Sequence, residues 1–435
     1  MRILLLLSES WNDRTSPNNN MTNWFTNFSD AEIWTISGSS QLPENKCCFN
    51  YFLIGENAMI KSIFGGSEVG IRYTLNKIKE ESVSNNTNID ISQNKKIKKL
   101  FSGELARLAR DIVWRLGKYD LEGVKRFIEE CNPDIVFSQR RGSVKMCRLE
   151  KTVSLLTNAP MVVYTGDDEY SLKQLSFSPI FWIRRFWVRS WLKKAIPTYK
   201  LFYSQSKRQM NEFSSKFNVP TKFLVKCGEF DEEKIHTQVG KPLQLVYAGK
   251  LYCNRWKTLG MIADVIRKVN GACGETKFQL NIYTGDSITD NQNRKLNDGL
   301  HSIIHGKVPA SQLPAIFKES DIVLHVESLD LKNRLLTQDS FSTKVMDCLA
   351  SGCAVMAVCW EGHAAYQYLK EKDAAIVASS KDEIEQQFNL LLGNSMLVIE
   401  YAKKAYECGK RNHQREKIQE MLLNDFETTI LETIC

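Results

Sequence analysis

DIVLHVESLDLKNRLLTQDSFSTKVMDCLASGCAVMAV, residues 321–358, decides how the rest of the chain is read. It opens with an apolar strand, Asp321 to Val326, that carries His325 and delivers Glu327 at its carboxyl end. A polar loop follows. Ser342, Thr343 and Lys344 then open an amphipathic helix with apolar positions at Val345, Met346, Leu349 and Ala350. Gly352 closes the helix, and Ala354 to Val358 reads as a buried strand. A strand, a loop and a Ser/Thr-started helix make a place for phosphate, because free N–H groups and the helix dipole favour an anion there. Asp347 lies about one turn inside, within reach of a ribose hydroxyl. An ordinary capped αβ unit would look the same locally, so the rest of the chain has to decide.

The chain has 435 residues, enough for about two or three domains. Its hydrophobic share of 43% and charged share of 25% are those of a globular protein with a large core. No run of about 18 apolar residues is present, so a membrane-spanning helix is not expected. MRILLLLSES at the start lacks a cleavage-site pattern and reads as a first buried strand rather than a signal peptide. Twelve cysteines are scattered without a CxxC pair, which suggests free thiols in a reducing cytoplasm. His301 and His305 are four apart but fall on a strand and turn, so no metal site is expected. The net charge of +8 matters less than its distribution.

Upstream, apolar strands are expected at Ile3 to Leu7, Ala31 to Ile36, Asp134 to Ser138, Pro160 to Tyr164, Lys200 to Ser204 and Thr221 to Val225. Helices are expected at Leu105 to Leu116 and Leu121 to Cys131. Asn18 to Asn20 suit a tight turn into a helix, and Ser82 to Lys99, with its basic run Lys95 to Lys99, reads as a loop. Gly228 to Pro242 reads as a linker. A second βα series follows: strands at Leu243 to Ala248, Phe278 to Thr284 and Ser302 to His305, a helix at Thr258 to Val269, then the opening stretch. Two runs of alternating β and α predict two doubly wound domains facing each other across a cleft. The boundaries read as 1–235, 236–410 and a C-terminal helix at 411–435 that packs back on the first domain.

SPIFWIRRFWVRSWLKK, residues 178–194, is the other unusual stretch. From Phe181 to Lys194 it holds five aromatics, five basic residues and no acid. A basic, Trp-rich helix fits an anionic membrane surface, and an interdomain or core helix with snorkelling arginines is the alternative. No second basic patch with aromatics exists, which argues against nucleic acid.

With LVYAGKL, LNIYTGD and HGKVPASQLPAIFKESDIVLHVES in order ahead of the opening helix, the chain resembles a GT-B glycosyltransferase, similar to the retaining family 4 enzymes. That family carries an acid, a Phe-Gly and a second acid eight places on. Asp339, Phe341 and Asp347 match, with Ser342 where the glycine would stand and Asp for Glu at both acids. The resemblance implies that Asp347 binds the donor ribose and that Asp339 or Glu327 meets the transferred sugar. It places Lys250 and Arg255 on the diphosphate with Ser342, Thr343 and Lys344, and Gly306 and Val308 on the base. It implies no metal and no cofactor beyond the donor itself, a UDP- or GDP-linked sugar.

In the first domain such enzymes often place a His after the strand that here is Pro160 to Tyr164. This chain has Asp167 and Asp168 instead, which either contact the acceptor and sugar or cap the next element. The expected protein is a metal-independent, retaining hexosyltransferase of surface polysaccharide assembly. It would act on a lipid-linked or saccharide acceptor, peripherally bound to the inner face of the plasma membrane. A sugar-nucleotide 2-epimerase on the same scaffold and a non-catalytic membrane- or partner-binding scaffold are the rivals.

Overall fold

The computed structural model describes residues 1–14, 20–28, 30–75 and 103–434. The expected loop at Ser82 to Lys99 and most of the Asn18 to Asn20 turn lie outside them. The chain divides into two compact units. The first holds Met1–Leu172, Ser176–Leu224 and the chain from Gln419 onward; the second holds Lys173–Leu175 and Val225–Ile418.

The first unit is built on β1 (Arg2–Leu7), β2 (Glu32–Ser37), β3 (Asn50–Leu53), β4 (Ile71–Thr74), β5 (Ile135–Arg140), β6 (Met161–Thr165), β7 (Tyr199–Ser204) and β8 (Thr221–Phe223). Their order is β4-β3-β2-β1-β5-β6-β7-β8, parallel throughout except for β4 against β3. Ile3, Leu4, Leu5 and Leu6 are fully buried, as a strand with both sheet faces covered requires. Helix Leu121–Cys131 starts where the Asp120 side chain accepts from Gly123 N and stops at Asn132 in the left-handed region. Helix Val144–Leu156, not foreseen in the sequence, starts where Ser143 Oγ accepts from Met146 N. The last helix, Arg415–Ile434, sends Phe426 into this core, with its ring 5.9 Å from that of Phe137, while Tyr203 donates to Asp425 at 2.6 Å.

The second unit is a six-stranded parallel sheet: β9 (Leu243–Ala248), β10 (Phe278–Tyr283), β11 (Ser302–Gly306), β12 (Ile322–Val326), β13 (Ala354–Val358) and β14 (Ile376–Ala378). Its order, β11-β10-β9-β12-β13-β14, is third-second-first-fourth-fifth-sixth, the Rossmann arrangement. Strands are added on one side of β9 as far as β11 and on the other side from β12 onward, so the strand order reverses between β9 and β12. At that point helices leave to opposite faces and a crevice opens outside the strand ends. The expected helix after β9 is longer than read, Arg255–Cys273, and ends at Gly274 with φ 69°. The expected polar loop after β12 contains the helix Leu331–Thr337, capped by Asp330.

Candidate functional site

Residues at the β9/β12 switch point of the second unit come from strand ends, so their backbones are fixed by the sheet. Glu327, directly after β12, is nearly sealed from solvent. Arg255, the first residue of its helix, meets it from β9's side: Nε donates to Oε2 at 3.0 Å and a second N–H donates to Oε1. Burial alone would raise the Glu327 pKa, but the guanidinium outweighs it and holds the carboxyl below its usual range. Tyr252 stacks beneath Arg255, 4.5 Å from the guanidinium carbon. The two residues expected to act separately, one on sugar and one on diphosphate, are therefore bound to each other.

Lys344 fills the space beside this pair. Its ammonium lies 5.5 Å from the Tyr247 ring centroid, and a Cβ built on Gly249 would fall 1.8 Å from Nζ. Gly249 thus leaves room for a cation at the end of β9. Burial, followed by the charge of Arg255, lowers the Lys344 pKa. Lys250 is exposed at the same edge. The sequence marked Lys344 but not Gly249 or Tyr247; a glycine directly after the first strand of a Rossmann unit was the available signal.

The helix expected from Ser342 begins at Lys344 and runs only to Leu349. Thr343 is already in helical conformation and makes no side-chain cap bond, while Ser342 Oγ accepts from Lys344 N at 3.4 Å. The Ser342 cap is thereby corrected. Six residues sum fewer peptide dipoles than a long helix, so most of the positive potential here comes from Lys344 and its neighbours. Asp347 is half exposed, and Lys226, itself buried, donates to its Oδ1 at 2.7 Å. Lys226 was not singled out in the sequence; it lies about 120 positions from its partner, with nothing local to mark it. Asp339 is buried. Gly306, with φ 78°, turns the chain after β11 and Val308 follows half-buried.

In the first unit a cavity of about 680 Å³ opens at its own switch point, between β1 and β5. Ser8, Gly38, Arg141 and Asp167 line it from the ends of β1, β2, β5 and β6. Lys145 forms part of its wall and donates to the carbonyls of Ser8 and Gly38 at 2.7 and 3.0 Å. Asp111 closes the start of helix Val144–Leu156: Val144 N and Arg184 Nε both donate to it, at 2.9 and 2.7 Å. Of the two expected acids, Asp167 faces this cavity. Asp168 is occupied elsewhere. It accepts from Tyr170 N, Ser171 N and Arg185, and so builds a turn.

Helix Pro179–Ala195 carries the basic, aromatic stretch. Its arginines turn inward: Arg184 to Asp111, Arg185 to Asp168, and Arg189 over the Tyr170 ring at 4.2 Å. Trp182 Nε1 donates to the Ser176 carbonyl at 2.8 Å, and Trp191 packs on the core. The outward residues are Ile183, Phe186 and, just before the helix, Phe177, which is 94% exposed. No helix among the described residues is long and apolar enough to cross a membrane.

Residues 249–424 match the Glycosyl transferase-like family. No curated protein matches the sequence. Among solved structures, Anabaena Alr3699/HepE in complex with UDP is similar at 12% identity over 98% of this chain and 100% of that one, with TM-score 0.60. The sucrose-phosphate synthase of Thermosynechococcus elongatus gives 9%, 99%, 100% and 0.59 in the same terms. The E. coli trehalose-6-phosphate structure bound with UDP-2-fluoro glucose gives 11%, 98%, 98% and 0.58. The fold is GT-B, two Rossmann-like domains, and the family match falls mostly on the second unit.

Proposed function

We propose that this GT-B protein moves a hexose from a nucleotide-diphosphate sugar, held by the second unit, to a hydroxyl of an acceptor held by the first. The observation that carries the reading is the cationic edge at the β9/β12 switch point, where Gly249 makes room for the Lys344 ammonium. A diphosphate bound there meets Lys344 and Lys250 directly, and its charge would restore the Lys344 pKa that burial lowers. Asp347 takes the ribose, Gly306 and Val308 the base, and Ser342 and Thr343 offer hydroxyls to phosphate oxygens. Asp339 is the candidate for the sugar, since Glu327 is committed to Arg255. Metal-independent transfer is part of this reading. UDP in one solved relative and UDP-2-fluoro glucose in another support a uridine donor over a guanosine one.

Transfer proceeds with retention. The bond between the anomeric carbon and the diphosphate oxygen breaks, the acceptor oxygen bonds on the same face, and its proton passes to the departing phosphate. No protein base is needed; the protein aligns the reactants and stabilises the leaving charge. The cavity at β1/β5, with Asp167 at its wall, is the acceptor pocket in this reading. A lipid-linked saccharide acceptor and action at the inner face of the plasma membrane, in surface polysaccharide assembly, complete the proposal. Their support is the exposed Phe177, Ile183 and Phe186.

The test is a thermal shift with UDP, GDP and ADP, followed by incubation with the matching sugar nucleotide with and without a lipid-linked saccharide acceptor. Stabilisation by UDP and acceptor-dependent release of UDP are expected. An epimer formed without acceptor would indicate a 2-epimerase, and no stabilisation by any nucleotide would indicate a non-catalytic scaffold.

A further inference from the structure

Three buried metal-ligating side chains converge beneath the carboxyl edge of the second unit, under the Arg255–Glu327 pair. His325 stands on β12, Cys359 directly follows β13, and His363 starts the helix Ala364–Glu371. One donor atom from each lies within 4.8 Å of the other two, and all three residues are buried. Pairing of β12 with β13, which sets His325 beside Ala357 and Val326 beside Val358, brings the first two together.

A second observation points to a ligand. His325 is 3% exposed, and its Nε2 has no hydrogen-bond partner among the described residues. A buried polar atom left so is costly unless something occupies its lone pair.

We infer that His325, Cys359 and His363 supply three ligands of a binding site for one zinc ion, with the fourth position left to water. Two imidazoles and a thiolate are the donors that zinc prefers, and they disfavour magnesium or calcium, which take oxygen. Donors on a shared zinc stand about 3.3–3.8 Å apart, so the three atoms close by roughly 1 Å on loading. Binding releases the Cys359 thiol proton, and that sulfur gives up its 3.9 Å contact with the His325 carbonyl. His363 Nδ1 accepts from Ala365 N at 3.2 Å; coordination through Nε2 moves the ring proton to Nδ1 and gives up that bond. The ion would tie the ends of two strands to the start of a helix directly under Glu327. It takes no part in sugar transfer.

The test uses the full chain. Metal is removed with a chelator and the protein is titrated with cobalt(II) as a spectroscopic stand-in. One equivalent should bind with a thiolate-to-cobalt charge-transfer band in the near ultraviolet. Zinc should displace it, and Cys359→Ser should abolish the band while His363→Gln weakens binding at least tenfold. A band that survives Cys359→Ser would place the metal on another cysteine and overturn the assignment, as would no binding to a folded wild type. If either variant fails to fold, zinc-edge X-ray absorption of the wild type decides: one sulfur and two imidazole nitrogens support the site, and an oxygen-only shell refutes it. Nucleotide binding is measured in parallel, and the zinc site stands or falls independently of it.

Discussion

Arg255 grips Glu327 through two hydrogen bonds, Nε to Oε2 at 3.0 Å and a terminal N–H to Oε1, with both side chains withdrawn from water. Removing one partner strands the other charge in a low-dielectric setting. Such losses cost about 3–5 kcal/mol. Glu327→Ala should therefore lower unfolding free energy by about that amount in urea titrations of the second unit's transition. A purely substrate-contacting Glu327 predicts lost activity with unchanged stability, and that result would remove the structural role.

Gly249 and Lys344 form the second relationship. Any side chain at 249 displaces the Lys344 ammonium, because the Cβ and Nζ positions fall 1.8 Å apart. Gly249→Ala and Lys344→Ala should then produce the same defect, a UDP affinity weaker by about ten- to a hundredfold from one lost charge-assisted contact. Calorimetric titration with UDP and with uridine separates the causes. Both variants should lose diphosphate affinity and keep what little uridine affinity there is.

Asp347 behaves differently because it is half exposed. Its ion pair with the buried Lys226 is open to water on the carboxylate side, and Asn at 347 still offers that ammonium an oxygen acceptor. Asp347→Asn should leave the melting temperature within a degree or two while weakening UDP more than 2′,3′-dideoxy-UDP. Equal weakening of the two ligands would show that the carboxylate does not address the ribose hydroxyls.

Acid should destabilise the second unit through its buried imidazoles. Burial lowers His325 to about 3 and His413 to about 4, from an ordinary value near 6.5. Between pH 6.5 and 4 the unfolded chain holds protons that the folded chain refuses, so stability falls as pH falls. The slope is at most about 1.4 kcal/mol per pH unit for each ring. Denaturation with chelator present, repeated from pH 7 to pH 5, should show the loss, and His413→Gln should reduce its slope. A flat profile would contradict the buried neutral state of both rings.

What the sequence disclosed follows from which forces are local. β1 after Arg2 and β13 are continuous apolar runs, and β9 and β12 are broken only by Gln244 and His325; such runs become central parallel strands, so the two doubly wound units were readable. Helix Val144–Leu156 was not, because its buried Glu150 sits where an apolar residue would signal a core face; Arg140, Ser138 and Tyr199, which donate to it at 2.9, 2.7 and 2.6 Å, explain it. The start of the helix at Lys344 was misplaced because Ser342 and Thr343 carry cap chemistry that the backbone does not use. Arg255 and Glu327 were each marked for a ligand. Their mutual contact spans 72 positions, and no local pattern encodes that distance. His325 was marked only as a strand-end histidine, and Cys359 and His363 were passed over, because the pairing of β12 with β13 is what brings His325 to them.

The helix Pro179–Ala195 gives the final prediction. Tryptophans between arginines read as a membrane face, yet Arg184 and Arg185 are tied to Asp111 and Asp168, and Trp191 packs inward. A side chain already bonded to the unit's interior gains nothing from lipid. The residues that do gain are those still facing water: Phe177, Ile183 and Phe186, flanked by exposed Lys193 and Lys194. An aromatic or aliphatic side chain buried in the interface contributes about 1.5–3 kcal/mol if fully covered, and each lysine near an anionic surface about 1 kcal/mol. Replacing Phe177, Ile183 and Phe186 together by Ser should cut co-sedimentation with phosphatidylglycerol vesicles at least tenfold and leave binding of UDP unchanged. Binding to the wild type should also weaken with salt, because part of it is lysine. Replacing Trp191 should instead lower thermal stability. If the triple variant binds vesicles as the wild type does, this face of the helix is not a membrane contact.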